Sequence, residues 1–424
     1  MKRQSTPMRL ALALQALIRS ALTVVALVAT TAVLALVGTA HAQAAAGPIA
    51  DGPIAVRPIA DGPIAVGPIA VGITQWAVGD LPVTLVYPTL QPARRVAMGP
   101  FVLQVAPDAL PQPGLRRLVV MSHGTGGSTL SDHTLAATLA RAGFVVAQPL
   151  HAGDNYKDAS RSGPESWVTR PQEVSRVISA LAADPQWGPR LQLDRVGVHG
   201  MSAGGVTALS LAGAQWRLLD MVQHCLAQAE ADLGFCFNGL ADPAAQAARK
   251  AAFERSRGVP VGLLPASVTA VHDGITPHAA KGQTDVRPDP RVAAITLSVP
   301  VSAIFSAESL ARIRVPVGLV TAGRDLQPLP AFHSEHVLRH CTACTRLADL
   351  PGAGHMDLLS PWPAAIAQTA GALQPRGGYP EPGFDPKERE AAFEAIAQFF
   401  QRTLQPGLQS GSQPGLQSGS QSGL

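Results

Sequence analysis

The pentapeptide Gly200-Met201-Ser202-Ala203-Gly204 restricts the fold more than any other feature, because of what stands on either side of it. Residues 196–199 before it form a short apolar run with strand character, and residues 204–219 after it read as a helix. A serine at so tight a strand-to-helix turn sits on strained backbone where the chain passes close to itself. Gly200, Gly204 and Gly205 remove the side chains that would collide there. The hydroxyl then projects beside a helix N-terminus, whose free N–H groups hold an anion. The competing reading is a Gly-rich turn with an N-capping serine, which needs no catalytic partners elsewhere in the chain.

Around this turn, short apolar runs alternate with helical patterns. The runs at 118–121, 144–147, 196–199, 292–299, 315–321 and 347–350 read as strands, and those at 135–142, 172–183, 204–219 and 330–340 as helices. Such alternation predicts an α/β fold with a mainly parallel central sheet flanked by helices. Residues 83–87 and 101–105 form an antiparallel lead-in to that sheet, and Pro386 opens a last helix over 386–403. No linker-like break divides 73–403, so one domain is expected. A cap-like insertion is expected at 217–288, where strand character is lost and Cys225 and Cys236 lie.

The two ends read differently. Lys2, Arg3, Arg9 and Arg19 precede an uncharged run over 21–38 and then Ala40-His41-Ala42, the order of a signal peptide cleaved after Ala42. An uncleaved anchor helix is the alternative, and either one puts the remaining chain in the periplasm or outside the cell. Residues 43–72 carry a Gly-Pro-Ile-Ala repeat and residues 404–424 a Gln/Gly/Ser/Pro-rich tail; both are expected to be disordered. The four leader cations equal the formal net charge of +4, so the rest of the chain is balanced. With 4% aromatic residues it has neither the basic surface nor the stacking rings of a nucleic-acid binder, and no nucleic-acid partner is expected. Four cysteines outside the cytoplasm suggest two disulfides, with the local pairs Cys225–Cys236 and Cys341–Cys344 favoured among three pairings. His333, His336, His340, Cys341 and Cys344 have ligand-like spacing, but oxidation removes the two thiols and no metal is expected.

A nucleophilic serine needs a base, and the base needs an orienting acid. Asp325 follows the strand at 315–321, and His355 follows the strand at 347–350 within Gly352-Ala353-Gly354-His355. The order Ser202, Asp325, His355, each after a strand, suits acyl-transfer chemistry; Asp349 and Asp357 are the other candidate acids. Developing charge on a carbonyl oxygen needs donors, and the backbone N–H groups of Thr125, in the Gly-rich run after residue 121, and of Ala203 are the candidates. His151 and Asp154 follow the strand at 144–147, as substrate contacts or as a pair that fixes the loop. His199, inside a strand, reads as a hydrogen-bonded core histidine.

On these residues the chain resembles the α/β-hydrolase superfamily. Within it, the chain is similar to secreted bacterial proteins related to platelet-activating factor acetylhydrolase and to the group labelled predicted dienelactone hydrolases. The likeness spans about 81–403. It rests on His123-Gly124-Thr125-Gly126-Gly127, Pro149-Leu150-His151-Ala152-Gly153-Asp154, Gly200-Met201-Ser202-Ala203-Gly204, Asp289-Pro290-Arg291-Val292, Gly323-Arg324-Asp325 and Gly354-His355. It implies a Ser202–His355–Asp325 triad, a small-molecule ester with a small or modified acyl group, and contact with a membrane or lipid surface. Authentic dienelactone hydrolases use a cysteine nucleophile where this chain has Ser202, so the label names a family and not a substrate. The chemistry requires no metal or organic cofactor. An acyltransferase or polyester depolymerase with the same triad, or a non-catalytic binding protein on the same fold, is the alternative. The sequence leaves oligomeric state and acyl length open.

Overall fold

Alternate residues of a strand point to opposite faces, so an apolar run needs a cover on both sides to be stable as a strand. The computed structural model supplies both covers. It describes residues 56–58, 69–228, 230–236, 287–364, 366–367 and 379–405. The strands are β1 (Val56–Pro58), β2 (Ala70–Val78), β3 (Leu81–Thr89), β4 (Arg94–Met98), β5 (Phe101–Pro107), β6 (Arg116–Ser122), β7 (Val145–Pro149), β8 (Leu191–Met201), β9 (Val292–Ser298), β10 (Val317–Ala322) and β11 (Cys344–Leu350). They form one sheet in the order β1-β4-β5-β2-β3-β7-β6-β8-β9-β10-β11. From β7 to β11 every pairing is parallel. β3 joins β7 antiparallel, and β2 joins β3 likewise.

The helices are α1 (His133–Arg141), α2 (Pro164–Ala183), α3 (Ala203–Leu211), α4 (Leu218–Gln228), α5 (Leu233–Cys236), α6 (Ala307–Leu310), α7 (Ser334–His340) and α8 (Pro386–Thr403). Strand alternation divides the core between them. Leu118, Val120, Val145, Ala147, Ile295 and Leu319 pack with apolar residues of α2 and α3. Val119, Val146, Ala294 and Val320 pack with those of α1 and α8 on the other face. The chain is thus α/β, with a mainly parallel sheet between two helical layers.

Three expectations are corrected. The repeat at 43–72 is not linker throughout: Val56–Pro58 pairs antiparallel with β4, and Ala70 already opens β2. Val56 supplies strand preference, and Pro58 is tolerated because β1 lies at the sheet edge. The helix read over 204–219 stops at Leu211, where Gly213 takes φ +103°, and Trp216 then bridges to Phe305 before α4 begins. The helix read from Gln172 begins at Pro164 and runs through Pro171, whose missing donor does not end it. The expected signal segment 1–42, the tail from 406 and the bulk of the expected cap, 237–286, lie outside the described residues. Within its described part the insertion holds α4 and α5, joined by a Cys225–Cys236 disulfide; Cys341 and Cys344 are also bonded to each other. Among the described residues no helix is long and apolar enough to cross a membrane.

Candidate active site

Parallel strands all deliver their C-terminal ends to one edge of the sheet, which is where open α/β sheets hold ligands. Here that edge receives Ser122 from β6, Ser202 from β8, Asp325 from β10 and His355 from β11.

Ser202 has φ 54° and ψ −118°, a backbone conformation that a non-glycine residue adopts only when its surroundings force it. The surroundings do so from both sides. Ser202 N–H donates to Ser298 O at 3.0 Å, while its carbonyl accepts from Gly205 N at 2.8 Å and Val301 N at 2.9 Å. A Cβ on Gly200 would stand 2.1 Å from Gly204 O, and one on Gly204 would stand 1.9 Å from Ser122 O, so the turn closes only with glycine at both positions. Ser202 keeps 9% exposure at the start of α3.

His355 Nδ1 lies 2.7 Å from Asp325 Oδ2, both side chains buried. A carboxylate only accepts, so Nδ1 carries the proton and Nε2 keeps its lone pair for a substrate-side proton. Asp325 is held in turn by Gln327 N–H, which donates to Oδ1 at 2.8 Å. The other two candidate acids are engaged elsewhere. Asp349 accepts from Thr321 Oγ1 at 2.5 Å on the exposed side of β11, and Asp357 accepts from Gly354 N–H at 2.8 Å, anchoring the loop that carries the histidine. Among the described residues no hydrogen bond joins Ser202 Oγ to His355; the His355–Asp325 contact is the one present.

Of the expected oxyanion donors, Ala203 N–H opens α3, where the first amides of a helix have no carbonyl within the helix to bond. Thr125 follows Gly124, on which a Cβ would lie 3.3 Å from Ser202 Cβ. One candidate comes from the loop after β6 and the other from the elbow.

Beneath this loop lies a buried polar layer. His151 Nε2 meets Ser122 Oγ at 2.8 Å, and His151 Nδ1 meets Glu173 Oε2 at 2.7 Å. Burial first, and then the Arg170 charge, pushes His151 well below the usual imidazole range, so it is neutral. His151 and Asp154 were grouped from sequence, yet they use different partners: Asp154 bonds Arg170. Sequence reading missed Arg170 and Glu173. The available signal was that charges one turn apart in α2 fall on the face of Trp167, Val174 and Val177. His199 is a buried core histidine bonded to Thr296 Oγ1 at 2.9 Å, and burial lowers its pKa to about 3.

The expected metal-like cluster is dispersed: Cys341 and Cys344 are disulfide-bonded and His336 Nε2 donates to Phe305 O at 2.8 Å. His333 instead joins His224 and Asp232, whose ligand atoms lie within 4.8 Å of one another. The amides of Ser302 and Ala303 both donate to His333 Nδ1, so its Nε2 carries the proton and donates it to Asp232 at 2.9 Å. A metal there would leave an imidazolate, and these residues do not fit one. They fit a hydrogen-bonded clasp. Burial works to raise the Asp232 pKa, but the bonds from His224 and His333 outweigh it and hold the value at about 2.

No protein-family model matches the chain, and no curated protein does. Among solved structures it is similar to a ferulic acid esterase from Streptomyces cinnamoneus, with TM-score 0.49 and 18% identity over 81% of this chain and 92% of that one. Such a likeness carries no inference about chemistry.

Proposed function

We propose that the protein is a serine ester hydrolase. His355 Nε2 takes the Ser202 proton, and Ser202 Oγ attacks the acyl carbonyl. The Thr125 and Ala203 amides receive the oxyanion, and His355 returns the proton to the leaving alcohol. Water activated by the same imidazole then releases the acyl group. The observation that supports this most is the 2.7 Å contact between His355 Nδ1 and Asp325, at the sheet edge that also presents a strained Ser202. Carboxylic esters with small or modified acyl groups, including phospholipid-type esters, are the proposed substrates, on the sequence resemblance. Export to the periplasm or medium is proposed from the leader-like start, and two disulfides are consistent with it.

The test is fluorophosphonate labelling with peptide mass spectrometry, alongside a p-nitrophenyl ester series. The adduct is expected on Ser202, and Ser202→Ala should abolish both labelling and turnover while leaving the thermal melt unchanged. Turnover retained by Ser202→Ala would remove Ser202 as the nucleophile.

A further inference from the structure

Beyond the triad, we infer that the buried Arg170–Asp154 pair is the positioning element of the oxyanion loop, fixing residues 123–127 so that Thr125 N–H faces Ser202. The inference rests on the ester-hydrolase reading and extends it to residues that touch no substrate.

Arg170 and Asp154 are both fully buried, and Arg170 Nη2 lies 2.7 Å from Asp154 Oδ2. The guanidinium reaches past its partner into the loop. Nη1 donates to His123 O at 2.6 Å, and Nη2 contacts Gly124 O at 3.3 Å and Asp154 O at 3.2 Å. Two successive loop carbonyls are therefore turned toward Arg170. Among the described residues no peptide is cis, so in the unit joining Gly124 to Thr125 the C=O and N–H point opposite ways. Gly124 O, which also accepts from His123 Nδ1 at 2.7 Å, faces Arg170, so Thr125 N–H faces away from it. Gly124 meanwhile abuts Ser202, as the 3.3 Å approach of a Gly124 Cβ to Ser202 Cβ shows.

Asp154 acts on the neighbouring amides. Its Oδ1 accepts from Gly126 N–H at 3.0 Å and from Ser162 Oγ at 2.8 Å, and its Oδ2 accepts from Ser166 Oγ at 2.7 Å. Gly127 N–H is used within the loop, donating to Gly124 O at 3.1 Å. Of these amides, Thr125 N–H is left without an acceptor among the described residues. Asp154 therefore occupies the Gly126 N–H, while Arg170 turns the carbonyl that precedes the Thr125 N–H. A cation on the Gly124 carbonyl also polarises that peptide unit, which makes the Thr125 N–H a stronger donor.

Burying an ion pair is a poor way to gain stability, since desolvation consumes much of the attraction. What this pair supplies that an apolar replacement would not is a fixed orientation for two carbonyls and one amide.

The full-length chain is tested as Arg170→Met, Arg170→Lys and Asp154→Asn. The readouts are kcat and KM on p-nitrophenyl acetate, the Ki of an aryl trifluoromethyl ketone whose hemiketal oxyanion occupies the same hole, and the thermal melt. Loss of one oxyanion donor is worth ~10²-fold, so Arg170→Met should lower kcat and weaken the ketone by about that factor. KM should stay within about threefold, because the ground-state carbonyl gains little from the hole. Arg170→Lys, which keeps the charge but not the fork, should recover part of both losses. If Arg170→Met does not fold, the same parallel loss of kcat and ketone affinity in Arg170→Lys or Asp154→Asn supports the inference. Ketone affinity unchanged in the folded variants overturns it. A wild-type chain that neither turns over the ester nor binds the ketone instead overturns the ester-hydrolase reading.

Discussion

A single hydrogen bond fixes which nitrogen of His355 is basic, and that makes Asp325 the residue whose replacement is most informative. In Asp325→Asn the amide keeps the size and much of the geometry but offers a donor to Nδ1, favouring the tautomer that puts the proton on Nε2. By analogy with other Ser-His-Asp relays, kcat should fall by ~10⁴-fold with little change in the melt. A fall under tenfold would show that His355 is oriented by something else. Asp132, at the N-cap position of α1 with no capping bond from its side chain, offers a second test at this scale. Burial raises its carboxyl from 3.8 to about 7, its Oδ1 has no partner, and the helix end does not compensate. The folded chain retains the proton while the unfolded chain releases it near pH 4. Stability is therefore fully present below that pH and declines until about pH 7, by on the order of 4 kcal/mol. Asp132→Asn should flatten urea-denaturation stability over that interval; parallel curves for the two proteins would refute the assignment.

Among the elements, the α4–α5 hairpin has the clearest individual role. Cys225–Cys236 closes it, and Asp232 fastens it to the segment after Asp325 by accepting from Leu329 N–H at 3.1 Å and bonding His333. Cys225→Ser with Cys236→Ser should cost about 2–4 kcal/mol on the chain-entropy view, read as a lower urea midpoint. An unchanged midpoint would mean that the hairpin contributes nothing to the cooperative unit. The sequence showed the chemistry of this region only in part. Ser202, Asp325 and His355 stood out as candidates because each follows a strand and a small-residue turn, a pattern set by local sterics. Asp232, Arg170 and Glu173 were not, because a charge in a helical or loop segment reads as solvent-facing until the tertiary partner is known. β2 and β4 escaped for a related reason: three of the five residues of β4 are polar or small, and β2 begins inside a repeat whose prolines argue against order.

At the level of the whole molecule, α8 ties the central strands together. Asp385 caps it by accepting from Lys387 N–H, Pro386 occupies its first turn, and Phe393, Ile396 and Phe400 face the sheet. Phe400 is fully buried and meets Phe144 edge-on. It lies so near Gly197 that a Cβ there would come within 2.8 Å of the ring. Phe400→Ala should lose about 3–5 kcal/mol, with a lowered melting temperature and no selective effect on KM. A loss under 1 kcal/mol would mean that the core closes over the cavity.

The base of the proposed relay hangs from β11, which among the described residues ends the sheet and has a strand neighbour on one side. An end strand opens by giving up one ladder where an interior strand gives up two. The amides of β11 should then exchange with solvent before those of β8, and His355 would leave its aspartate during those openings while Ser202 stays seated. On warming, turnover would fade ahead of the cooperative melt, and the endurance of the catalyst would be set by the fraying of one border strand.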